Sequence, residues 1–156
     1  MILRCIMLPM AAWSLIATPA VADECDETAA KVSSSVSGLS FVRRSETKPS
    51  ETSEVHFKHP FGGTVEILCT NRTRPVVTID TSAAYPSKEF FDMLAKAGSA
   101  ETGVAGTTLR SAFVKCHQSA LKTKSGEVEI KGAEIRCSFY RDTGQPDIMN
   151  FEVSRK

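Results

Sequence analysis

The sequence predicts an α+β protein, a two-layer arrangement in which a curved antiparallel sheet of about six to seven strands carries three helices, in the order α-ββββ-αα-βββ. Three observations predict it. Apolar residues recur at i, i+3, i+4 and i+7 in three segments, and at period two in six or seven others. The strand segments are joined by connections of hairpin length, which antiparallel pairing permits and parallel pairing does not. Four of the five cysteines lie in or beside these segments, the pattern of a disulfide framework.

The first 22 residues read as a cleaved leader rather than as part of the fold. Arg4 supplies a positive start, Cys5 to Ile16 is mostly apolar, and Ala20, Val21 and Ala22 form a small-residue site for cleavage before Asp23. The apolar run is too short to span a bilayer. Removing 22 of the 156 residues leaves 134, one ordinary domain from 23 to 156. Arg4 departs with the leader, so 18 basic side chains then balance 18 acidic ones. A protein that lives on phosphate neutralisation needs a basic excess, so a nucleic-acid partner is disfavoured.

A first helix is expected from Asp23 to Ser37, with Cys25, Ala29, Val32 and Val36 on one stripe. Asp23, Glu24, Asp26 and Glu27 crowd its first turn, where the helix dipole favours anions, and Gly38 stops it. Leu39 to Arg44 alternates as a short strand, and Ser45 to Ser53, around Pro49, reads as a polar loop. Glu54 to His59 alternates again, and Pro60, Gly62 and Gly63 enforce a turn. Thr64 to Thr70 and Val76 to Thr81 follow as strands around a turn at Asn71 to Pro75. This helix and meander are similar in order to cystatin-like folds, a similarity of order alone.

Ser87 is placed to cap a second helix over Lys88 to Ala97, with Phe90, Phe91 and Leu94 inward and Gly98 as its stop, and Ser99 to Gly106 as a link. The third helix has the clearest stripe, Leu109, Ala112, Phe113, Cys116 and Ala120, with Thr107 or Thr108 as cap and Gly126 as stop. Val128 and Ile130, then Ile135, Cys137 and Phe139, flank a tight turn at Lys131 and Gly132, and Asp147 to Arg155 is the closing strand.

Cys5 leaves with the leader, so Cys25, Cys69, Cys116 and Cys137 remain, an even number that reads as two disulfides in an exported chain. No C-x-x-C spacing is present, against a redox pair or a zinc ribbon. Three connectivities are open, and the expected one joins each helix to a strand, Cys25 with Cys69 and Cys116 with Cys137.

Few residues carry a signature of chemistry. Asp80-Thr81-Ser82 at a strand end and Asp142-Thr143-Gly144 resemble the active-site loop of aspartic proteases, where two carboxylates share one proton. The resemblance implies a carboxylate-dependent hydrolase with Asp80 and Asp142 as the pair. Two helices lie between these loops, and Arg141 precedes Asp142 where an apolar residue is expected. His56 and His59, three apart on a strand, face opposite ways, cannot share a metal, and are expected to be exposed. His117 follows Cys116 but points elsewhere on the helix, so no thiolate–imidazole pair is expected. Ser45 and Lys48 match S-x-x-K, in a loop and without its partner motifs. Asn71-Arg72-Thr73 is a glycosylation sequon.

With no metal spacing and no oriented nucleophile, the sequence reads as a small exported protein, periplasmic or secreted, that binds a protein or cell-envelope partner and needs no cofactor. Phe61, Gly62 and Gly63, an aromatic at a glycine-rich turn, are the expected contact residues. The alternatives are the hydrolase built on Asp80 and Asp142, and a redox or metal protein built on the four cysteines. No membrane insertion is expected after the leader is removed.

Overall fold

The computed structural model describes residues 24–47, 52–70, 73–141 and 146–156. The expected leader and its cleavage site, Pro49, Asn71 of the sequon, and Asp142 lie outside them. Within them the chain forms α1 (Glu24–Ser35), β1 (Ser40–Thr47), β2 (Thr52–His59), β3 (Gly63–Thr70), β4 (Thr73–Thr81), α2 (Lys88–Thr102), α3 (Gly106–Thr123), β5 (Ser125–Ile130), β6 (Ala133–Tyr140) and β7 (Ile148–Arg155). The seven strands make one antiparallel sheet in the order β1-β2-β3-β4-β7-β6-β5, open at both edges. The expected order of elements is present. Helices α2 and α3 carry the chain from the middle of the sheet to its far edge, and β7 returns to seal the second half against β4.

The helices cover one face. Val55, Phe57, Val65, Ile67, Val77, Ile79, Ile135, Met149, Phe151 and Val153 point into them, as the period-two pattern requires. Phe90 and Phe91 of α2 and Phe113 of α3 meet Phe151 in tilted and edge contacts at centroid distances of 5.7 to 6.1 Å. His117 turns away from Cys116, lies over Phe151, and has its Nε2 2.8 Å from the Ala84 carbonyl.

Both disulfides join the expected cysteines. Cys25 of α1 is bonded to Cys69 of β3, and Cys116 of α3 to Cys137 of β6, each tying a helix to the sheet. All four sulfurs are therefore committed, and the alternative built on free or metal-bound cysteines is set aside. Two disulfides fit a small exported protein, and no helix among the described residues is long and apolar enough to cross a membrane.

Several boundaries differ from expectation, each for a local reason. Gly98 does not stop α2. It lies buried inside the helix with its Cα turned toward Leu109, Phe113 and Val153, where a missing side chain lets α3 and β7 come close. Gly103, at φ +73, is the actual cap, its N–H donating to the Ser99 carbonyl at 2.9 Å. Helix α3 begins at Gly106 behind Ala105 without a side-chain cap, and Lys124 rather than Gly126 takes the left-handed turn after it. Gly126 instead lies second in β5, where a Cβ would meet the Cys116 carbonyl oxygen at 2.5 Å. The polar segment from Ser45 to Ser53 is strand for much of its length, since β1 reaches Thr47 and β2 starts at Thr52. Pro75 lies within β4 rather than in a turn. The β3–β4 register slips here, between Leu68 and Thr70, the kind of irregularity at which a strand accommodates proline.

One buried charge stands out. Glu101, near the end of α2, is 1% exposed. Thr28 Oγ1 donates to its Oε2 at 3.0 Å, Arg155 lies 3.8 Å from its Oε1, and that oxygen has no hydrogen-bond partner among the described residues. Burial pushes this carboxyl above its ordinary value, and the Thr28 hydrogen bond and the Arg155 charge oppose the shift only in part. The folded state then takes up a proton at a higher pH than the unfolded chain. Between the ordinary value of 4.5 and the raised one, stability therefore falls as pH rises. Glu101→Gln is expected to flatten that slope and to raise stability at neutral pH by on the order of 1 kcal/mol. Urea midpoints at mildly acidic and neutral pH check it. A slope identical to that of the wild type would contradict the assignment.

Candidate functional site at the Phe61 corner

Pro60, Phe61 and Gly62 connect β2 to β3, and the turn is held by side chains on either side. Gly62, at φ +82, closes the turn with its N–H donating to the His59 carbonyl at 3.3 Å. His59 Nδ1 accepts the Phe61 N–H at 3.1 Å, which makes Nε2 the protonated nitrogen, and Nε2 donates to the Asp80 carbonyl at 2.8 Å. His59 is 5% exposed and lies 5.6 Å from the Phe90 ring. The expectation of an exposed strand histidine is wrong at this position, because period two at the end of β2 sends it to the helix side. His56, on the other face as expected, is partly covered.

Asp80 serves the same turn. Its Oδ1 accepts the Thr64 N–H at 2.8 Å and its Oδ2 accepts the Thr64 hydroxyl at 2.7 Å. Both oxygens are thus engaged with the start of β3. Asp80 shares a sheet row with Asn150 and Ser138. Asp142 itself lies outside the described residues.

The expected contact residues divide in two. Phe61 is 40% exposed, its ring edge-on to Phe90 at 6.0 Å. Gly63 contributes space rather than surface, because its Cα sits against Asp80 and His59. Beside Phe61 opens a groove of about 300 Å³ floored by Val36, Pro60, Phe61 and Met93 and rimmed by Glu89, Asp92 and Lys96. Three elements meet here: the end of α1, the β2–β3 turn and the first half of α2. The α1–β1 turn is tucked in place as Gly38 approaches Pro60, where a Cβ would lie 3.3 Å from Cγ.

The rim is charged on both signs. The Glu89 carboxyl is held below its ordinary value by its own backbone N–H and by Ser87, and Asp92 by Lys88 and Arg110, so both acids stay ionised. Such an arrangement offers no nucleophile with an oriented base. It can hold an apolar side chain inside a charged rim. The sequence pointed to Phe61 through its turn chemistry but not to Met93 or Val36, which lie 32 and 25 residues away and are brought in only by packing. Compared with known protein families, curated proteins and solved structures, the chain finds no match in any of the three.

Proposed function

We propose that this is an exported binding protein, periplasmic or secreted, whose leader ends at Ala22 and whose single domain captures a protein partner at the Phe61 corner. The observation that carries the reading is a large aromatic ring, 40% exposed, whose backbone N–H is held by the buried His59, itself bonded to the Asp80 carbonyl. An anchor already fixed in position loses little freedom when it is covered, so more of its burial appears as affinity. The partner is a protein segment that inserts an apolar side chain between Phe61 and Met93 and meets Glu89, Asp92 and Lys96 with its own polar groups.

Phe61→Ala is expected to abolish capture, a loss of roughly 2 kcal/mol or more of binding free energy. It should leave unfolding nearly unchanged, since the ring lies outside the core. Pull-down from cell-envelope extract with wild type and variant side by side, with urea midpoints for both, checks the two halves together. Equal capture by the two would remove the assignment.

A further inference from the structure

We propose that the open face of the sheet carries a divalent transition-metal site made by Glu54, His56 and Glu66, suited to Zn²⁺. Glu54 and His56 are i and i+2 on β2 and so project from the same side, away from the helices. Glu66 of β3 is the ladder partner of His56. One donor atom from each of the three lies within 4.8 Å of the other two, a spacing that a single ion can bridge. None of this involves the Phe61 corner, which is on the helix side.

The donors are held in place. Ser45 of β1 gives its hydroxyl hydrogen to Glu54 Oε2 at 3.0 Å, and the same oxygen lies 3.3 Å from His56 Nε2. The imidazole is 14% exposed and the Glu54 side chain 30%. Leu68 and Val76, both half-buried, continue the Glu54 row across β3 and β4 as an apolar flank. Two carboxylates and a neutral imidazole balance a 2+ charge, and a nitrogen donor among oxygens favours Zn²⁺ over Ca²⁺ or Mg²⁺. Three protein ligands leave the fourth tetrahedral position to water. Arg43, beside His56 in the same row, is an exposed cation that moderates the affinity.

The test is calorimetric titration of the full chain, produced by export and freed of metal with chelator, with ZnCl₂ at neutral pH. One saturable equivalent is expected in the wild type. Binding should weaken by roughly tenfold or more in Glu66→Gln and in His56→Gln, with circular dichroism matching that of the wild type. Glu152→Gln, on the same face but outside the cluster, is expected to bind as the wild type does. Absence of saturable binding overturns the proposal. So does binding that survives in Glu66→Gln and His56→Gln, or that Glu152→Gln weakens as much as Glu66→Gln does, since the ion would then be held diffusely by an acidic face.

Discussion

Gly63→Ala is expected to destabilise the protein by about 3 kcal/mol or more, while Gly62→Ala, one residue earlier, costs about 1 kcal/mol. The two glycines are needed for different reasons. Gly62 has φ +82 and nothing within 4 Å of where its Cβ would stand, so alanine there meets backbone strain alone. Gly63 needs no special φ. A Cβ on it would lie 2.2 Å from the Asp80 carbonyl oxygen and 2.7 Å from both Asp80 Oδ1 and His59 Nε2. The first of those atoms is backbone in the middle of the sheet and has nowhere to go. Accommodating alanine means prising β3 from β4 at this row and giving up the bonds from His59 and Thr64 to Asp80. Urea unfolding of the two oxidised variants under one set of conditions measures the difference. Equal costs, or a Gly63→Ala cost below about 1 kcal/mol, would mean that this close approach does not form.

The same two glycines show where reading the sequence stops. A P-x-G-G run reports a turn, and the turn is there. Which glycine supplies freedom and which supplies space depends on Asp80, a residue of a different strand whose register no local signal reveals. The disulfide pairs were legible in part: the even number of cysteines reads as two bridges with three possible connectivities, and the pairing that joins each helix to a strand, Cys25 with Cys69 and Cys116 with Cys137, is the one formed. Gly98 was misread because glycine signals a helix end only by its backbone. Its tertiary use, letting Phe113 and Leu109 approach, outweighs a helix-interior cost of about 1 kcal/mol. The groove beside Phe61 and the Glu54, His56 and Glu66 cluster were illegible for one reason. Each joins residues from separate elements, and ladder register and helix docking have to be known before they become neighbours.

The second large effect is on the disulfides, and it separates two roles for them. Replacing both cysteines of a pair by alanine removes a constraint on the unfolded chain worth about 4 kcal/mol for Cys25–Cys69, whose ends are 44 residues apart, and about 3 kcal/mol for Cys116–Cys137, at 21 residues. By that argument alone both variants should unfold cooperatively at lower denaturant, by amounts that differ little. Their attachments differ more. Helix α3 is an 18-residue helix that keeps Leu109, Ala112, Phe113 and Ala120 buried without its disulfide. Helix α1 has 12 residues, and its burial beyond Cys25 rests on Thr28, Ala29 and Val32, with Val36 just past its end. An isolated helix of that length is marginal in water, so docking must supply its stability. Losing Cys25–Cys69 is therefore expected to let α1 open ahead of the rest. Its amides should lose hydrogen-exchange protection well below the global unfolding free energy, which the sheet amides should still report. Release of α1 also strips Thr28 from Glu101 and removes Val36 from the groove, so the Cys25→Ala, Cys69→Ala variant should lose partner capture while the Cys116→Ala, Cys137→Ala variant keeps it. Uniform protection across α1 and the sheet in the first variant would show the helix to be held by packing, with the disulfide acting on the unfolded chain alone.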